Sequence, residues 1–106
     1  MRHVRTRVDF DESLAVNHGK LVVVDFYRDG CPACKEMTPF LEFLSKDFMY
    51  RDIVFLKVNV DVNQETATAC NVTFLPTFKF YRSRREVDQI EGADQSQLVA
   101  KIQKHM

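Results

Sequence analysis

Two runs of apolar, largely β-branched residues constrain this chain most: Leu21–Tyr27 (LVVVDFY) and Ile53–Val60 (IVFLKVNV). Near-continuous runs of this kind suit strands covered on both faces rather than strands with one wet side. Between them lies Pro32–Phe48, whose Met37, Leu41, Leu44 and Phe48 recur at helical spacing with Phe40 beside the stripe. Strand, amphipathic helix and strand together predict a crossover unit with its strands parallel. Pro39 lies inside the helical pattern and is expected to kink it, because it lacks the N–H of one helical bond.

The rest of the chain extends the alternation. A short strand is expected near His3–Arg7 and a helix over residues 9–17, where Phe10 and Leu14 stand four apart. Gln64–Cys70 reads as a short helix capped by Asp61 or Asn63. Thr77–Tyr81 and Glu86–Glu91 are close enough to form a hairpin, which must be antiparallel. Asp94–His105 closes the chain as a helix capped by Asp94, with Leu98, Val99 and Ile102 facing inward. The predicted order is β-α-β-α-β-α-β-β-α, an α/β fold with a central mixed sheet flanked by helices on both faces. The 106 residues fit one domain spanning residues 1–106.

Composition narrows the function classes. Lys plus Arg and Asp plus Glu balance at 15 each, so no net charge argues for nucleic acid or a membrane surface. No apolar run approaches the roughly 20 residues that span a bilayer. The opening MRHVRTRVDFDES has basic residues but no apolar stretch behind them, so no secretory signal is expected. Three cysteines make a poor disulfide framework and suit a reducing compartment. A cytoplasmic monomer without a resident cofactor or metal is the resulting expectation.

Two of those cysteines form Cys31-Pro32-Ala33-Cys34, between the strongest strand and the longest helix. Cys31 should sit at the helix N-terminus, with Pro32 at the first helical position, where a missing N–H is harmless. Free backbone N–H groups and the positive end of the helix dipole then face its sulfur. Both favour thiolate, so the thiol should titrate below the free value of about 8.5. Cys34 lies one turn on, in the apolar stripe, and should be buried. Cys31 is therefore the expected nucleophile of disulfide exchange and Cys34 the resolving thiol. A zinc site would need further paired ligands, whereas Cys70, His3, His18 and His105 are single and scattered.

Two charged residues interrupt the apolar runs. Asp25 precedes Cys31 by six residues, and burial should raise its pKa, which would let it carry a proton for Cys34. Lys57 interrupts the second run; buried, it needs a partner, and Asp25 on a neighbouring strand is the obvious one. Cys70 is read as a small buried residue, Arg82, Arg84 and Arg85 as a solvated hairpin tip, and the histidines as without a catalytic role.

VVVDFYRDGCPACKEMTPFL, FLKVNVDVN, LPTFKFY and the pair Gly92-Ala93 together resemble the thioredoxin family, in order and over almost the whole chain. The resemblance carries Asp25, Cys31, Cys34, Lys35, Pro39 and Lys57 onto matching positions. It implies that Pro76 follows a cis peptide bond, and that Leu75, Pro76 and Gly92 border a substrate groove with Gly30 and Pro32. It also implies disulfide reductase activity, re-reduction by an NADPH-dependent thioredoxin reductase, and clients such as peroxiredoxins or ribonucleotide reductase.

The chain departs from the family pattern in three places. Pro32-Ala33 stands where Gly-Pro is usual, Gly30 stands where a tryptophan usually precedes the first cysteine, and the hairpin has Arg-Ser-Arg-Arg without its usual glycine. Proline after the first cysteine resembles glutaredoxins and tryparedoxins, so a glutaredoxin- or tryparedoxin-like redox carrier is one alternative. A binding module that keeps only the fold is another. The retained Cys31, Cys34, Asp25 and Pro76 argue for the enzyme.

Overall fold

The computed structural model describes residues 1–106. Its elements in chain order are β1 (Arg2–His3), α1 (Arg7–Val16), β2 (Val22–Tyr27), α2 (Pro32–Lys46), β3 (Val54–Asn59), α3 (Gln64–Ala69), β4 (Thr77–Arg82), β5 (Arg85–Glu91) and α4 (Gln95–His105). The strands form one sheet in the order β1-β3-β2-β4-β5. β1, β3 and β2 run parallel, β4 pairs antiparallel with β2, and β5 antiparallel with β4. The two apolar runs thus become the interior strands β2 and β3, which is where such runs belong.

Side chains alternate across β2 and divide the core in two. Val23 joins Met37, Leu41 and Leu44 of α2 and Leu98 and Ile102 of α4 on one face. Val22, Val24 and Phe26 join Phe10 and Leu14 of α1 on the other. Burying each side chain of this size contributes about 1.5–3 kcal/mol, so helices of weak intrinsic propensity hold by packing against the sheet.

Helix starts follow local polar chemistry. Asn63 caps α3, its side chain accepting from the Thr66 N–H at 3.3 Å and donating to the Val4 carbonyl at 3.2 Å. Asp94 caps α4 by accepting from the Gln97 N–H at 2.9 Å. Thr6 caps α1 by accepting from the Asp9 N–H at 3.0 Å. That last cap moves α1 two residues earlier than the apolar spacing predicts and confines β1 to Arg2–His3.

The far end of α2 also departs from expectation. The helix runs unbroken through Pro39 but ends at Lys46, because Asp47 turns extended and caps a 3-10 turn at Phe48–Tyr50. The turn breaks the helical phase, so Phe48 points outward at 74% exposed and Tyr50 takes the buried place. The hairpin tip is a two-residue turn, Ser83 and Arg84, both at positive φ (53° and 67°). Two such residues in succession match the twist of the flanking strands. Arg84 and Arg85 are solvated as expected, but Arg82 is half-buried and donates to the His105 carbonyl.

Candidate active site

Cys31 is the N-cap of α2, in extended backbone geometry, and Pro32 is the first helical residue. The chain reaches Cys31 through Gly30, whose φ of +78° lies in the left-handed region that side chains disfavour. The Cys34 backbone N–H donates to the Cys31 sulfur at 3.2 Å. A charge on that sulfur would meet this donor and the positive end of a 15-residue helix. Cys31 is partly exposed, whereas Cys34 is 4% exposed. The two are joined as a disulfide, with Cα atoms 5.2 Å apart.

Along β2, Val23, Asp25 and Tyr27 share a face, and Val23 packs with α2. Asp25 therefore lies beneath the helix that carries the cysteines. It is 3% exposed, and its Oδ1 has no hydrogen-bond partner. Burial pushes the Asp25 pKa up to about 7, against the opposing pull of Lys57.

Lys57 stands in register with Asp25 on β3 and is nearly buried, yet the expected ion pair does not form. The ammonium lies instead 4.4 Å from the centroid of the Tyr27 ring, a cation–π contact. A recess lined by Tyr27, Asp29, Cys34, Lys35, Thr38 and Lys57 lies there. The long side chain carries its charge to this open recess rather than to the buried carboxyl. Lys57 thus acts on Asp25 through space. Tyr27 was not foreseen; the available signal was its place two residues beyond Asp25 on the same face.

The Leu75–Pro76 bond is cis. Phe26 pairs with Thr77, so Pro76 falls at the end of β2 from which the loop to Cys31 departs. The Pro76 carbonyl accepts from the Gly92 N–H at 2.8 Å, and Gly92 adopts φ +106°. Leu75 lies outside every strand, and neither its N–H nor its C=O is hydrogen-bonded within the chain. A second recess joins Arg28 of the active-site loop to Phe74 and Leu75.

The remaining candidates stay apart. Cys70 is half-buried at the end of α3, its sulfur accepting from the Tyr81 hydroxyl at 3.3 Å. Burial pushes its thiol pKa up, which makes it a poor nucleophile. His105 pairs with Asp88 at 2.9 Å and ties α4 to β5, while His3 lies 3.4 Å from the Tyr27 hydroxyl. No cluster of three or more His, Cys, Asp or Glu side chains is placed to hold a metal.

Comparison with known proteins converges on one family. The family model described as Thioredoxin matches residues 2–104. A thioredoxin of Geodia cydonium is 40% identical over 103 residues, covering 96% of this chain and 95% of its own. The human thioredoxin is 36% identical over 102 residues, covering 96% and 95%. The crystal structure of Fasciola hepatica thioredoxin superposes with a TM-score of 0.96 at 37% identity, over the whole of both chains. A CxxC pair at the head of α2, on a fold and sequence matched end to end, makes this chain a dithiol–disulfide oxidoreductase belonging to the thioredoxin family.

Proposed function

We propose that the chain works as a protein-disulfide reductase, with Cys31 as nucleophile, Cys34 as resolving thiol and Asp25 as proton carrier. The observation that carries this reading is the asymmetry of the pair: a partly exposed sulfur at a helix N-terminus and a buried one a turn below it. In the reduced protein, the Cys31 thiolate attacks one sulfur of a client disulfide. That S–S bond breaks, a Cys31–client mixed disulfide forms, and the other client sulfur leaves as a thiolate that takes up a proton. The Cys34 thiol then gives its proton to the Asp25 carboxylate, directly or through one water. The new thiolate attacks the Cys31 sulfur, closes the Cys31–Cys34 disulfide and releases the second client thiolate. Two electrons pass to the client. A carboxyl titrating at about 7 holds both protonation states at neutral pH, as a proton carrier requires.

Client segments dock in extended form, their backbones pairing with the free N–H and C=O of Leu75 as in strand addition. Gly30, Pro32, Pro76 and Gly92 border this groove with little side-chain bulk. Lys57 tunes Asp25 through its charge. Family membership supports re-reduction by an NADPH-dependent thioredoxin reductase and clients such as peroxiredoxins or ribonucleotide reductase. Cysteine usage supports a cytoplasmic setting, and the balanced charge supports a monomer that needs neither nucleic acid nor a membrane.

The test is a trapping pair. Cys34→Ser should capture clients as mixed disulfides on Cys31, and Cys31→Ser should capture none and reduce no insulin. Capture by Cys31→Ser alone would reverse the roles. Turnover with glutathione and glutathione reductase, but not with NADPH and thioredoxin reductase, would move the chain to the glutaredoxin-like reading.

A further inference from the structure

We propose that Phe74 selects among disulfide clients: its ring forms the apolar wall of the groove and favours an extended segment with an apolar side chain next to its reacting cysteine. This deepens the reductase reading and rests on it. Phe74 is 53% exposed and belongs to neither core cluster, so packing does not explain an aromatic residue there. Its backbone is pinned, because its carbonyl accepts from the Thr77 hydroxyl at 2.5 Å. Its ring lies over Gly92, whose missing Cβ would stand 4.0 Å from ring atom Cε1.

The position fits a client contact. Leu75, the next residue, offers the unpaired backbone groups. The recess beside it is lined by Arg28, Val60, Val72, Thr73, Phe74 and Leu75, so it runs from the loop before Cys31 to the residue before Pro76. On the cysteine side, Gly30 contributes no side chain, nothing lies within 4 Å of its Cβ position, and the chain has no tryptophan. Phe74 is the aromatic surface bordering this recess. The only charge in the lining, Arg28, is engaged by Asp61 through Nε and Nη2, both at 3.0 Å. An occupant there gains from apolar contact rather than from charge.

The experiment uses the full chain and three oxidised substrates. Two are disulfide-bonded peptides identical except that Leu or Ser flanks each cysteine, and the third is hydroxyethyl disulfide. The native protein should prefer the Leu peptide. Phe74→Ser should lower kcat/KM for that peptide about tenfold through KM, the ordinary consequence of burying the exposed half of an aromatic side chain. It should leave the Ser peptide and hydroxyethyl disulfide unchanged. Phe74→Leu should restore most of the preference. Phe43→Ser, at another exposed aromatic on α2, should change nothing. An unchanged Leu-to-Ser ratio in Phe74→Ser, or an equal loss on all three substrates, overturns the proposal while the reductase reading stands. Failure of the native protein to reduce any of the three substrates overturns both.

Discussion

Replacing Asp25 with asparagine should stabilise the oxidised protein in a way that depends on pH. The structure sets the magnitude. Asp25 is buried, has an unpartnered Oδ1 and is pushed up by that burial to about 7 from 3.8. A carboxyl whose folded pKa is raised contributes stability that is fully present below its unfolded pKa and is lost as pH rises through the folded one. The native protein should therefore lose about 1.4 kcal/mol per pH unit from this group between about pH 4 and 7, about 4 kcal/mol in all. Asparagine does not titrate, but its amide is left short of partners at a cost of about 1–3 kcal/mol. That cost is the same at every pH. The advantage of Asp25→Asn should thus grow by about 3 kcal/mol between pH 5 and pH 8.5. Urea melts of both proteins with the Cys31–Cys34 disulfide intact keep the two active-site thiols out of the titration. The gap between midpoints should widen by about 1–3 M urea over that range. A gap that stays constant with pH would refute the reasoning, because Asp25 would then not be a carboxyl held neutral by burial.

Two further predictions concern the reduced protein. Alkylation of Cys31 should follow a single inflection below about 8.5, because its sulfur caps a helix; an inflection at or above that value would remove the argument for an activated thiolate. Lys57→Met should move the inflection of the exchange rate toward higher pH by up to about one unit, because it removes the charge that opposes the rise in the Asp25 pKa. A shift toward lower pH would mean that Lys57 acts other than by its charge.

The fold was legible where one signal dominated. Leu21–Tyr27 and Ile53–Val60 admit little besides covered strands, and a CxxC at the head of a long amphipathic helix admits little besides a capping cysteine. Legibility failed where two local signals competed. Apolar spacing extended α2 to Phe48, but Asp47 offers its own cap and ends the helix first. Thr6 likewise outcompetes a longer β1. At the site, spacing placed Asp25 and Lys57 side by side correctly. The direction in which a long lysine lays its charge depends on the ring of Tyr27 and on the open wall beside it, and neither is a property of sequence spacing. Phe74 escaped notice because exposure is invisible in a string of letters.

The unpaired backbone of Leu75 gains a second meaning from the edges of the sheet. An exposed strand edge is a template on which any extended chain can polymerise. Here one edge, β1, is only two residues long. The other, β5, carries Arg85, Glu86, Asp88 and Glu91, and its pairing with β4 is interrupted by a register shift at Phe80/Tyr81. Both edges discourage strand addition and fibre growth. The one inviting segment is a single residue ending at a proline that has no N–H to extend the ladder. A chain docked there as proposed could not be lengthened into a sheet, so backbone capture at this one residue would not turn the molecule into a seed for aggregation.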